Sequence, residues 1–244
     1  MDLSGRVALV TGAARRLGRE IARSLATAGS DLVVHHHASP QHAEETAGVL
    51  RDLGVRAEIL AADLRQPGQI AALFGEIATR FGRLDILVNS AALFERKPAL
   101  DITPTDWDRL MDLNLRAAFL CSQRAARLMR AGGAGVIVNI ADVAAFQPWP
   151  AHAHYCISKA GLIMMTRVLA RALAPQIRVN AVAPGPVLPP EGLSDREVEQ
   201  LAQLTALRRW GRPEDVARTV LFLVETDFVT GETVVVDGGK TLRS

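Results

Sequence analysis

Apolar, β-branched runs alternate with helix-patterned segments from one end of this 244-residue chain to the other. Strands are expected at 7–10, 32–35, 57–61, 84–89, 135–140, 177–183 and 233–236. Helices are expected at 17–28, 41–53, 67–81, 105–130, 153–174 and 213–224. Strands that are apolar throughout, rather than on alternate residues, need cover on both faces, which points to a parallel sheet. Right-handed crossovers then give an α/β, doubly wound, Rossmann-like sheet of about seven strands with helices on both faces. No linker or repeat divides it, so residues 1–244 are expected to form a single domain. A Pro-rich stretch at 184–190 and a polar, weakly helical segment after it are long for a connection in such a fold. They predict a substrate flap around 185–209, over the carboxyl ends of the strands where ligands bind.

Composition excludes several classes of function. A net charge of +2, with the basic residues almost all Arg and dispersed, gives no basic patch for nucleic acid. No run of about 18 apolar residues exists to cross a membrane. The start of the chain leads directly into a strand without a leader pattern, so a cytoplasmic location is expected. Cys121 and Cys156 lie in expected helices without ligand spacing and read as reduced thiols.

Between the first strand and helix stands Thr11-Gly12-Ala13-Ala14-Arg15-Arg16-Leu17-Gly18. A small-residue turn in that place brings backbone N–H groups and a positive helix end to a pyrophosphate. Arg16 replaces the usual central glycine and can reach phosphate or an electron-rich ligand bidentately. After the second strand the chain reads His35-His36-His37-Ala38-Ser39, without the acid that would hold the ribose of NAD. Arg15, His35, His37 and Ser39 are therefore expected to accept the 2′-phosphate of NADPH. Adjacent strand residues point to opposite faces, so the three histidines do not converge as metal ligands. Asp63, followed by Leu64, is placed either to meet an adenine edge or to cap the helix near Pro67. Asn89-Ser90-Ala91, after the fourth strand, offers small residues where a ribose can approach the backbone.

Tyr155 and Lys159 are four apart, hence on one helix face. A neighbouring ammonium is expected to lower the Tyr155 pKa and let it exchange a proton near neutrality. Asp142 precedes them, in Asn139-Ile140-Ala141-Asp142.

Taken in order, Thr11-Gly12…Gly18, Asp63, Asn89–Ala92, Asn114, Tyr155…Lys159, Pro184-Gly185 and Val235-Val236-Asp237-Gly238-Gly239 resemble the short-chain dehydrogenase/reductase superfamily over nearly the whole chain. The typical member has Ser where Asp142 stands and Gly where Arg16 stands. Both replacements resemble the pteridine reductase subgroup, as do the His35–Ser39 stretch and Phe94. That subgroup's Asn-Asn-Ala-Ser appears here as Asn89-Ser90-Ala91-Ala92.

The resemblance implies bound NADPH and a small pterin-like substrate, reduced at a C=N bond. Lys159 would hold the nicotinamide ribose and Tyr155 would donate a proton. Asp142 would bond Tyr155 or, when protonated, donate toward a ring nitrogen. Asn114 would organise a relay water. Phe94 and Arg16 would hold the flat ring, with Leu188, Trp149 and Trp210 shaping the pocket. Pro184 and Gly185 would border the cofactor. A homotetramer built on the helices at 105–130 and 153–174 is also implied. Two other readings stand beside this one. The first is a carbonyl reductase of the 3-oxoacyl-thioester type. The second is an NADPH-binding sensor without catalysis, against which the intact Tyr155–Lys159 pair argues.

Overall fold

The strands are β1 (Val7–Val10), β2 (Asp31–His36), β3 (Ala57–Ala61), β4 (Ile86–Asn89), β5 (Gly135–Ile140), β6 (Ile177–Pro184) and β7 (Thr233–Val236). The helices are α1 (Arg16–Thr27), α2 (Pro40–Asp52), α3 (Pro67–Phe81), α4 (Pro104–Met111), α5 (Ala118–Ala131), α6 (Ala153–Leu173), α7 (Asp195–Ala202) and α8 (Pro213–Glu225). The computed structural model describes residues 2–189 and 194–242. All strands are parallel and lie in the order β3-β2-β1-β4-β5-β6-β7.

The two-residue period of a strand sorts its side chains between two cores. Ala8 and Val10 of β1 join Ile21, Leu25, Leu50 and Val220 from α1, α2 and α8. Val7 and Leu9 join Leu73, Ile77, Met129 and Leu162 from α3, α5 and α6 on the opposite face. Each Val, Leu, Ile or Met among them contributes roughly 1.5–3 kcal/mol when fully buried. Among the described residues no helix is long and apolar enough to cross a membrane.

The expected elements differ from the observed ones where side chains intervene. β4 begins at Ile86 rather than 84. The buried Asp85 carboxylate there accepts from the Val7 amide at 3.0 Å, from Arg6 at 3.1 Å and from Arg83 at 2.7 Å. The single helix expected at 105–130 is α4 and α5 joined by a π-helical stretch, Asp112–Ala117. Asn114 lies buried in that stretch. The flap expected around 185–209 includes α7. Its residues 190–193 lie outside the described residues.

Starting from β1, the chain builds the sheet outward to β3, returns to β4 beside β1, and builds outward the other way. The loops leaving β1 and β4 therefore diverge. They open a crevice at the carboxyl ends of the strands, where open α/β sheets bind ligands.

Candidate active site

A cavity of about 720 Å³ fills that crevice. Its floor is the β1–α1 loop. Gly12 has φ of +71°, and a Cβ on it would lie 3.2 Å from the Ala91 Cα. A Cβ on Gly18 would lie 2.3 Å from the Gly12 carbonyl oxygen. Neither site tolerates a side chain. The α1 N-terminus has no side-chain cap and no acid in its first turn, so its donors and positive end are open to an anion. Thr11 Oγ1 accepts from the Ser90 and Ala91 amides at 2.9 and 3.0 Å, which ties this loop to the one after β4.

Arg16 has φ of +54°, a left-handed backbone conformation, which explains why glycine is common there. Its guanidinium donates to the Pro189 carbonyl at 3.3 Å, from one wall of the cleft to the other.

The expectation that His35 meets a phosphate directly is corrected. Only 2% exposed, it accepts from the Gly12 amide at Nδ1 (3.0 Å), and its Nε2 lies 3.1 Å from the Ala62 carbonyl. Both bonds are made by a neutral ring with its proton on Nε2, and burial pushes its pKa down to about 4. His35 thus fastens the glycine loop to the end of β3. His37, Ser39, Asp63, Leu64 and Arg15 line the outer cleft, with Arg65 beside them. Asp63 does not cap α3, which begins after Gln66. Its carboxylate accepts from Arg65 Nε at 2.9 Å and Nη2 at 2.8 Å, and this pairing holds it below the usual carboxylate range. Arg65 was legible only as a cation after β3.

Asn89 is a second correction. Its side chain is buried beneath the cleft, where Nδ2 donates to Asn139 Oδ1 at 2.8 Å and to Ser122 Oγ at 3.1 Å. It holds the sheet under the cavity, while Ser90, Ala91, Leu17, Pro184, Gly185 and Leu188 form the wall. A Cβ on Gly185 would lie 2.6 Å from the Asp237 Cβ, so the backbone passes close to the β7 end. These features fit a dinucleotide: an anion-binding helix end, a backbone cradle without side chains, and a cavity reaching a catalytic cluster.

That cluster lies where β5 and α6 meet. Tyr155 donates to Asp142 Oδ2 at 2.9 Å, and Asp142 Oδ1 accepts from the Ala144 amide at 2.8 Å. Asp142 therefore both caps a short turn and holds the tyrosine. Lys159 donates to the Ile140 carbonyl at 2.8 Å, and its ammonium stands 5.6 Å from the Tyr155 ring centroid. Burial lowers Lys159 to about pKa 8 and raises Asp142, against the pull of the Ala144 amide and Lys159. Tyr155 runs opposite to expectation. Burial, and then the Asp142 carboxylate, push it well above its ordinary value. In the cofactor-free chain it is a firmly protonated donor.

Asn114 acts on the loop after β4. Its Oδ1 accepts from the Leu93 amide at 2.8 Å, while Nδ2 donates to the Leu93 carbonyl at 2.9 Å and to Ser158 Oγ at 3.2 Å. That clamp precedes Phe94, which stands edge-on to Tyr155 with centroids 4.9 Å apart. The other ring contact of Phe94 is a stack on His152 at 4.7 Å. Trp149 continues the row, edge-on to His152 at 6.0 Å. Trp210 is removed from the pocket: its indole N–H donates to the Val198 carbonyl at 2.8 Å and anchors α7. Sequence reasoning missed Lys240, whose ammonium lies over the Trp149 ring at 4.5 Å. Among the described residues no group of three or more His, Cys, Asp or Glu is placed to hold a metal.

Residues 12–241 match a family model described as enoyl-(acyl carrier protein) reductase. A short-chain type dehydrogenase/reductase of Picea abies is 41% identical over 98% of this chain and 93% of its own length. The 3-oxoacyl-[acyl-carrier-protein] reductase FabG of Staphylococcus aureus is 36% identical over 95% of this chain and 96% of its own. The crystal structure of a gluconate 5-dehydrogenase from Burkholderia cenocepacia, in complex with NADP and tartrate, superposes with a TM-score of 0.92 at 34% identity. It covers 99% of this chain and 97% of that one.

Proposed function

This chain belongs to the short-chain dehydrogenase/reductase superfamily, and on that premise we propose that it is an NADPH-dependent reductase of a C=N bond in a pteridine. It is a nicotinamide-dependent oxidoreductase by family; the cofactor form, the acceptor and the residue roles are the proposal. The observation that carries it is the buried hydrogen bond from Tyr155 to Asp142. Family members with Ser at that position polarise a carbonyl with a hydroxyl, which is too weak an acid to give up its proton near neutrality. A carboxyl whose burial raises its hold on a proton supplies one.

Bound NADPH would supply the hydride. Tyr155 would give its proton to the ring nitrogen of the acceptor. Asp142, when protonated, returns a proton to the tyrosine and ends as the carboxylate. Lys159 would hold the nicotinamide ribose and stabilise the phenolate left on Tyr155. Phe94 and Arg16 position the flat ring, with Leu188 at its edge. Asn114 keeps Phe94 in place through Leu93. NADPH over NADH is supported by the lack of an acid after β2 and by Arg15, Arg65, His37 and Ser39 in the outer cleft. The segment around 185–209 would serve as a flap on this single domain, with Arg16 reaching Pro189 at its root.

The relatives favour a second reading, reduction of a 3-oxoacyl thioester, since FabG of S. aureus is named for that reaction. Oxidation of NADPH by the purified protein with dihydrobiopterin, dihydrofolate and an acetoacetyl thioester, each alone, separates the two. Turnover of the pterins at least tenfold above the thioester is expected. Thioester turnover alone would transfer the same Tyr155–Lys159 chemistry to a carbonyl and end the pteridine reading.

A further inference from the structure

We propose that Arg65, in the turn after β3, decides which dinucleotide this cleft accepts: it masks the Asp63 carboxylate and offers its remaining donors to the 2′-phosphate of the cofactor. The inference rests on the NADPH part of the reading above, but not on the identity of the acceptor.

Charge is unevenly placed along the cavity. Among the described residues that line it, the carboxylates are Asp63 in the outer cleft and Asp142 in the catalytic cluster. An acid at the adenosine end favours the free ribose hydroxyls of NADH and repels a phosphate. The end of β2 supplies no such acid, but one stands a strand further on, just after β3. Asp63 is also close to the groups expected at the phosphate, since its Oδ2 lies 3.9 Å from His37 Nε2. Left bare, it would oppose the cations that share its space.

Arg65 removes that opposition by geometry. Its Nε donates to Asp63 Oδ1 at 2.9 Å and its Nη2 to Oδ2 at 2.8 Å, a planar fork that a lysine cannot make. The turn itself is held from several sides. The Arg65 amide donates to Asp63 Oδ1 at 3.0 Å, and the Asp63 amide donates to Gln69 Oε1 at 2.7 Å. One residue earlier, the Ala62 amide donates to the His36 carbonyl at 3.0 Å, and the Ala62 carbonyl receives the His35 ring. The ends of β2 and β3 are thereby fixed relative to each other, and Arg65 with them.

The pairing covers the acid and leaves the cation usable. The Asp63 side chain is 14% exposed and that of Arg65 34%. Nη1 of Arg65 takes no partner among the described residues, and the residue lines the same cavity as His37, Ser39 and Arg15. A guanidinium has five N–H donors, so a carboxylate on one edge leaves others for a phosphate oxygen. Arg15 comes from the loop after β1 and His37 and Ser39 from the end of β2, so Arg65 adds a donor from a third element. Deleting it has two effects of the same sign. A donor is lost, and an unpaired acid takes its place.

The test is calorimetric binding of adenosine 2′,5′-bisphosphate and of adenosine 5′-monophosphate to the cofactor-free protein. The two differ only in the 2′-phosphate, and neither needs an acceptor or turnover. The wild type is expected to bind the bisphosphate about tenfold more tightly or better, and Arg65→Gln to lose about tenfold of that preference. Affinity for the monophosphate is expected to stay nearly unchanged, which a merely structural role for Arg65 would not allow. Adding Asp63→Asn to Arg65→Gln removes the unmasked acid and is expected to restore part of the preference. Should Arg65→Gln fail to fold around its unpaired acid, the double variant still reports, with a preference expected below that of the wild type. A preference that survives Arg65→Gln, or affinities for both nucleotides that fall together, overturns the role of Arg65 and leaves the NADPH reading standing. A double variant no better than Arg65→Gln overturns the masking. A wild type that binds the two nucleotides equally ends the NADPH reading and the inference with it.

Discussion

At the scale of single residues, one hydrogen bond separates this site from a serine-bearing one. Tyr155 donates to Asp142, and the carboxylate opposes the formation of a phenolate beside it. The chain contains a single tyrosine, so near-ultraviolet phenolate absorbance reports Tyr155 alone. In the cofactor-free wild type that absorbance is expected to rise only well above pH 10. Asp142→Ser removes the charge and the strong acceptor, and the midpoint is expected to fall by a unit or more. If it stays, Asp142 does not govern the tyrosine. The Tyr155–Lys159 pair was legible because it is local, four residues on one helix. The direction of the Tyr155 shift was not, because it depends on burial and on a carboxylate from another element. Lys240 was illegible for the same reason, since only the folded sheet brings the end of β7 to the turn after β5.

At the scale of elements, the β1–α1 loop holds its shape through a neighbour. The alternation of strands and helices announced the loop, and its glycines announced a backbone approach. The clamp on it did not show, because His35 sits in a run of three histidines that reads equally well as phosphate contacts. Folding commits both ring nitrogens of His35 to the Gly12 amide and the Ala62 carbonyl, while the His37 side chain stays exposed at the cleft. A similar difference separates Asn89, expected at a ribose, from its buried place against Asn139. The His35 clamp has a measurable cost in acid. Its folded pKa is about 4, against 6.5 for the free side chain. Between these values the unfolded chain binds a proton that the folded chain does not. Stability is therefore full above pH 6.5 and declines as pH falls toward 4, by up to about 3 kcal/mol. Denaturant unfolding at pH 7 and pH 4.5 is expected to show this loss in the wild type. His35→Gln is expected to be less stable at pH 7 and to lose much less on acidification. An unchanged pH dependence in the variant would place the acid sensitivity elsewhere.

At the scale of the whole molecule, the face opposite the catalytic cluster is where the implied tetramer can be tested. Met111, Leu115 and Phe119, with Met164 and Val168 of α6, border an apolar groove of about 560 Å³. Met164 and Val168 are 57% and 56% exposed. The resemblance implies a homotetramer built on these helices, and an apolar strip is the kind of surface such an assembly would cover. The same helices carry Asn114, Tyr155 and Lys159 on their inner side. At Gly161 they approach closely, since a Cβ there would lie 3.0 Å from Leu115 Cδ2. A partner covering the strip would thus brace the helix pair that positions the proton donor. In a two-fold interface each side chain near the axis faces its own copy, so an introduced carboxylate repels itself. Met164→Glu combined with Val168→Glu is expected to lower the mass measured by light scattering to that of a dimer or monomer. Binding of a nicotinamide cofactor in the cleft at the carboxyl ends of the strands is expected to persist, while kcat falls severalfold as the α6 segment loosens. A variant that keeps both the mass and the turnover of the wild type would show that this strip is ordinary surface and that the active site is braced from within the chain alone.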